Sequence, residues 1–91
     1  MDRVYVLINV KNGMADRVVR ALHNQAGVIL ADVVERPPDV IMVVQAVNQE
    51  RLTRLTIEAL LPVEYLIEGL QLVPSCDRTL SYNTPLAFRQ N

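Results

Sequence analysis

Val40-Ile41-Met42-Val43-Val44-Gln45-Ala46-Val47 is the most apolar stretch of the chain, with Gln45 its only polar residue. So short and β-branched a run reads as a strand buried on both faces. Thirty-six positions earlier, Val4-Tyr5-Val6-Leu7 opens a matching strand over residues 3–10. Each opens a strand–helix–strand unit. After the first strand, Asn12-Gly13 is a break, Asn12 is placed to cap a helix, and Asp16 falls in that helix's first turn. Ala15, Val18, Val19, Leu22 and Ala26 recur at helical spacing as one apolar face, and Gly27 is suited to the left-handed residue that closes it. Val28 to Glu35 is again strand-like. Arg36-Pro37-Pro38-Asp39 predicts a turn, because two prolines remove ladder donors and fix φ. Beyond Val47, Asn48 caps a second helix with Glu50 in its first turn and Leu52, Leu55, Thr56, Ala59 and Leu60 as its stripe. Pro62 stops it, and Tyr65 to Val73 reads as a fourth strand.

The order β-α-β-β-α-β predicts an α+β ferredoxin-like sandwich. Its four-stranded antiparallel sheet would have the spatial order 4-1-3-2, with two helices on one face. The domain spans residues 1–73. Residues 74–91 turn polar and form a C-terminal arm or tail, in which Leu80, Tyr82, Leu86 and Phe88 sit at even spacing and are expected to dock on a neighbouring protomer. A sheet covered by helices on one side only should alternate apolar and polar residues. These strands do not. Val4, Val6, Ile8 and Val10 share one face of the first strand, but Tyr5 and Leu7 occupy the other. Val40, Met42, Val44 and Ala46 share one face of the third, while Ile41, Val43 and Val47 lie opposite. Helices on one face cannot cover both, and a large apolar patch is seldom left in water. A homodimer packed sheet to sheet, with Tyr5, Leu7, Ile41 and Val43 at its interface, is the expected cover.

Composition narrows the function classes. The chain has 91 residues, 51% apolar and 21% charged, and its nine basic and ten acidic residues leave a net charge of −1. That excludes a disordered polyampholyte and disfavours a protein that binds phosphate backbones. The lone Cys76 cannot close an intrachain disulfide, no apolar run approaches the ~18 residues of a membrane span, and Met1-Asp2-Arg3 lacks signal-peptide anatomy. A cytoplasmic domain without membrane contact is expected. His23 has no second histidine or cysteine pair for a metal, Cys76 has no adjacent base, and Asp32 could pair with Glu64 or Glu68 only across strands. The three glycines, at 13, 27 and 69, form no phosphate loop. Tyr5 could stack a base, but no basic surround supports RNA binding. No catalytic residue, metal or cofactor is expected.

The strand Val4-Tyr5-Val6-Leu7-Ile8-Asn9-Val10, the helix end Ala26-Gly27-Val28, the segment Asp39-Val40-Ile41-Met42-Val43-Val44 and the helix from Asn48 through Leu52 and Leu55 resemble a known pattern. It is that of the effector-binding and oligomerisation (RAM-type) domain of Lrp/AsnC regulators, in a stand-alone form lacking the DNA-binding helix-turn-helix. The likeness covers about residues 3–73. It implies sheet-packed dimers that assemble further, often into octameric rings, with small effectors such as amino acids bound near contacts between dimers. The family's hairpin signature is Gly-x-x-Asp; here Asp39 is kept and Arg36 stands in place of the glycine. Its Pro-Gly-Val before the last strand is Pro62-Val63. Arg36, Asp39 and Asn48 are thereby implied to lie near an effector, Arg36 holding a carboxylate and Asp39 accepting from an ammonium group. The plainer alternatives are that Asp39 closes the turn and Asn48 caps the helix. The implied function is a non-enzymatic sensing module that acts on a regulator or enzyme partner, including full-length Lrp/AsnC regulators, without touching DNA. An assembly scaffold without ligand, and a small enzyme using a cleft between protomers, are the other classes.

Overall fold

A computed structural model describes residues 1–35 and 37–75. Along the chain run β1 (Asp2–Val10), α1 (Ala15–His23), β2 (Val28–Val33), β3 (Val40–Ala46), α2 (Gln49–Leu60), a 3₁₀ segment (Leu61–Leu66) and β4 (Ile67–Ser75). The sheet order is β2-β3-β1-β4, with every neighbouring pair antiparallel, which is the 4-1-3-2 order expected. The fold is therefore the ferredoxin-like α+β sandwich.

Side-chain alternation sets the layers. Val4, Val6, Ile8 and Val10 of β1 and Val40, Met42, Val44 and Ala46 of β3 are buried together with Val18, Val19 and Leu22 of α1 and Leu52, Thr56 and Ala59 of α2. Val63 and Leu66 of the 3₁₀ segment complete this core. Thr56 is its one buried polar side chain among the described residues, and its hydroxyl donates to the Leu52 carbonyl at 2.7 Å, so no donor is stranded. α1 packs on β2 and β3, and α2 on β3 and β1.

Local signals set most of the boundaries. Asn48 caps α2 as expected, its Oδ1 accepting from the Arg51 N–H at 2.8 Å. Pro62 falls in the first turn of the 3₁₀ segment, where its missing N–H is harmless. Several expected boundaries are corrected. Asn12 does not cap α1: Met14 holds that position without a side-chain bond, because the Met14 N–H donates to Lys11 O at 3.0 Å and the tight turn leaves Asn12 two residues too early. α1 ends at His23, so Ala26 lies outside it and is exposed. β2 and β3 stop at Val33 and Ala46, leaving Val47 63% exposed beyond the strand. Tyr65 and Leu66 belong to the 3₁₀ segment, whereas Pro74 and Ser75, placed in the arm by sequence, continue β4. The arm's apolar residues Leu80, Tyr82, Leu86 and Phe88 lie outside the described residues.

Gly27 is left-handed, with φ 84°, but it stands beyond the helix cap, at the entry to β2. Its carbonyl accepts from the Gln45 N–H at 2.9 Å, and a carbon added at its Cβ position would meet Leu55 Cδ1 at 2.8 Å. Gly13 has a similar φ of 80° with nothing within 4 Å. Gly13→Ala should therefore cost about 1–2 kcal/mol, the left-handed penalty alone. Gly27→Ala should cost more, because Leu55 must also move. Urea unfolding of the two variants checks this, and equal losses would remove the packing role of Gly27.

Candidate functional site

Asp39 stands where three strands meet. Its N–H donates to Ile8 O at 3.0 Å, its carbonyl accepts from the Val34 N–H at 2.8 Å, and its carboxylate Oδ2 accepts from the Val10 N–H at 2.9 Å. The last bond carries the pairing of β1 with the β2–β3 hairpin past Ile8↔Val40, the end of the regular ladder. Val10 also sits at the bulge where the β1–β4 register shifts. The half-buried carboxylate thus satisfies a backbone donor that the ladder leaves free.

Beside it opens a cleft of about 220 Å³ lined by Val10, Lys11, Asn12, Gly13, Ala15, Asp39 and Glu68. Lys11 reaches this place because its N–H donates to Leu66 O at 2.9 Å, tying the end of β1 to the start of β4. One cation, two carboxylates and the uncapped start of α1 therefore face one small space. Lys11 and Glu68 were not expected there, since nothing local in the sequence joins residues 57 apart. On the other side of the hairpin a second cleft, about 240 Å³, is lined by Leu7, Asn9, Pro37, Pro38, Leu70 and Gln71.

Of the residues the resemblance implied for one site, Asp39 precedes β3 and Asn48 follows it, so the seven-residue strand holds them at opposite ends of the sheet. One protomer cannot bring both to a small ligand, and the Asn48 carbonyl oxygen of the side chain is already engaged as the α2 cap. Arg36 lies outside the described residues. Asp32 and Glu68 belong to the two edge strands, β2 and β4, and form no carboxylate pair. Asp32 Oδ1 accepts from the Val33 N–H at 3.0 Å. His23 is exposed at the end of α1, and its Nε2 meets Ala31 O at 2.7 Å, fastening the helix to β2. Among the described residues no group of His, Cys, Asp and Glu is arranged to hold a metal ion, and no helix is long and apolar enough to cross a membrane.

The helix-free face of the sheet is laid out in rows. Val73, Tyr5, Val43 and Leu30 run across β4, β1, β3 and β2; Gln71, Leu7, Ile41 and Asp32 form the next row. On the other side of the first row, Arg3 donates to Gln45 Oε1 through Nε at 3.0 Å and Nη2 at 2.6 Å. Val43, at the centre, is only 7% exposed in the isolated chain, while Leu30 is 46% and Val73 41% exposed.

No protein-family model matches the sequence, and no curated protein matches it. Solved structures do match in three dimensions. The chain is similar to hypothetical protein PHS023 from Pyrococcus horikoshii, with a TM-score of 0.76 and 18% identity over 92% of this chain and 100% of that one. It is similar to FFRP-DM1, with a TM-score of 0.72 and 20% identity over 84% of this chain and 100% of that one. A transcriptional regulator from Neisseria meningitidis, NMB0573, solved in complex with L-Met, matches with a TM-score of 0.64 and 9% identity over 93% of this chain and 55% of that one. The likeness shows the fold.

The geometry predicts separable effects at Asp39. Asp39→Asn keeps an oxygen acceptor for the Val10 N–H and should leave stability nearly unchanged. Asp39→Ala strands that donor and should cost about 1–3 kcal/mol. Denaturant titration of both checks the clamp; an Asp39→Ala protein as stable as the parent would refute it.

Proposed function

We propose that this chain is a non-enzymatic sensing module that pairs through the helix-free face of its sheet and takes a small amino-acid-type effector at the hairpin end. The observation that carries the reading is the make-up of that face. Tyr5, Leu7, Leu30, Ile41, Val43 and Val73 form an apolar centre, and Arg3, Gln45, Asp32 and Gln71 form its fringe. An apolar centre within a polar rim is the anatomy of a protein–protein interface. A second copy facing it, with the sheets about 10 Å apart, would exclude water from the whole centre.

The cleft beside Asp39 suits a zwitterion. Asp39 and Glu68 can accept from an ammonium group, while Lys11 and the open N–H groups at the start of α1 suit a carboxylate. The fold shared with a regulator solved with L-Met supports an amino acid as the effector class, and Lrp/AsnC-type regulators as the company this module keeps. Dimers would then associate further, with the effector where dimers meet, and the assembled form would act on a regulator or enzyme partner rather than on DNA. Effector binding shifts assembly only through differential affinity for the assembled state.

Leu7 is half-buried on the assembly face, so Leu7→Lys should leave the monomer folded but place an unpaired charge in the interface. Light scattering after sizing should give half the parent's mass per particle or less; an unaltered oligomer would overturn the assembly face. For the cleft, a thermal-shift screen of the amino acids should raise the melting temperature for at least one. Calorimetry with that ligand should show Lys11→Ala binding roughly tenfold or more weakly, the effect of one charge-assisted bond. A flat screen with an intact oligomer would instead leave an assembly module without ligand.

A further inference from the structure

The helix side of β4 is not covered. Leu70 and Leu72 point to that side, opposite Ile8 and Val6, yet are 47% and 51% exposed, and Ile57 and Leu61 facing them are 53% and 57% exposed. Two hollows of about 280 and 270 Å³ lie between α2 and β4 and share Ile57 as a common wall, so they form one apolar groove, with Pro74 at its far end. β4 is also an edge strand, nine residues long, with Glu68 its only charged residue. Edges so poorly protected by charge are normally covered.

We infer that this groove is the docking site of residues 80–88 of the same chain. The first ground is placement. Pro74 lines that end of the groove and is followed directly by Ser75, the last described residue, so the chain beyond is tethered there. The second is composition. Ser75-Cys76-Asp77-Arg78-Thr79 is a polar spacer suited to reversing direction, and beyond it Leu80, Tyr82, Leu86 and the chain's only phenylalanine, Phe88, supply what the groove lacks. Length is the third ground. Nine residues extend to about 30 Å, against about 18 Å for the twelve-residue α2, so the segment can run the whole groove. Finally, the short spacer closes only a small local loop, so the groove of its own chain is the one the segment reaches at the lowest entropic cost. The occupant is therefore the chain's own segment, and the helix-free face is left for assembly.

A nitroxide placed by Ala87→Cys, in a full-length Cys76→Ser background, tests this without altering any of the four apolar residues. Methyl NMR signals of Ile57, Leu61, Leu70 and Leu72 should lose intensity, while those of Val18 and Val19 under α1 should not. Reducing the nitroxide should restore the lost signals. Adding Leu86→Asp and Phe88→Asp should abolish the loss. A second sample mixes isotope-labelled chains lacking the nitroxide with unlabelled chains carrying it, after subunit exchange. No loss should appear there. Loss in the mixed sample would show the segment lying on another copy and overturn docking within the chain. No loss in either sample would overturn the groove as its site.

Discussion

Two helices and a four-stranded sheet that is apolar on both sides cannot satisfy one another, and this mismatch governs the molecule. α1 and α2 settle over β2, β3 and β1, where Val6, Ile8, Val40, Met42 and Val44 lose all contact with water. That burial is the main source of stability in so small a domain, at roughly 25 cal/mol per Å² of apolar surface removed from water. It leaves two apolar surfaces over: the helix-free face centred on Val43, and the strip of β4 that α2 does not reach. They differ in kind. The first spans all four strands and has a polar rim, which suits a flat partner. The second is a groove one strand wide, which suits a single extended segment.

The parts that were legible in the sequence are those decided within a few residues. Alternation in residues 3–10 and 40–47 gave both central strands and their two faces, and three- and four-residue spacing gave the buried stripes of both helices. Asn48 is legible because an N-cap needs only its own side chain and the N–H three residues on. What failed depended on the third dimension. The Lys11–Met14 turn displaced Asn12 from the cap of α1. Gly27 is held left-handed at the strand entry by Leu55 and Gln45, so its conformation was anticipated and its place was not. Pro74 marked the end of the domain by composition, yet an edge strand tolerates a proline and β4 continues through it.

The site divides along the same line. Asp39 is legible as a hairpin aspartate; its backbone carbonyl closes the hairpin through the Val34 N–H, while its carboxylate Oδ2 fastens β1 through the Val10 N–H and leaves the second oxygen free of that bond. Asn48 is legible too, as the cap of α2, at the opposite end of β3 from the Asp39 of the same protomer. Lys11 and Glu68 come together only because the ends of β1 and β4 are bonded through Lys11 and Leu66. No periodicity in the chain announces such a pair.

The clamp at Asp39 also joins the cleft to the helix-free face. The strands it fastens carry Leu7, Ile41 and Asp32 on their outer side within a few residues of the bond, and the second cleft, at Leu7, Pro37 and Pro38, opens at the same end. A ligand seated against Lys11 and Glu68 touches the rim of the sheet, not the centre of the face, so on its own it would alter one copy little. Under the proposed function its leverage would come where a second dimer closes the cleft. If only the assembled form binds tightly, ligand at about a hundred times its Kd stabilises that form by about 2.7 kcal/mol, a factor of about a hundred in its population. If the apolar face is partnered as proposed, no larger conformational change than that would be needed to convert an effector concentration into a change of assembly.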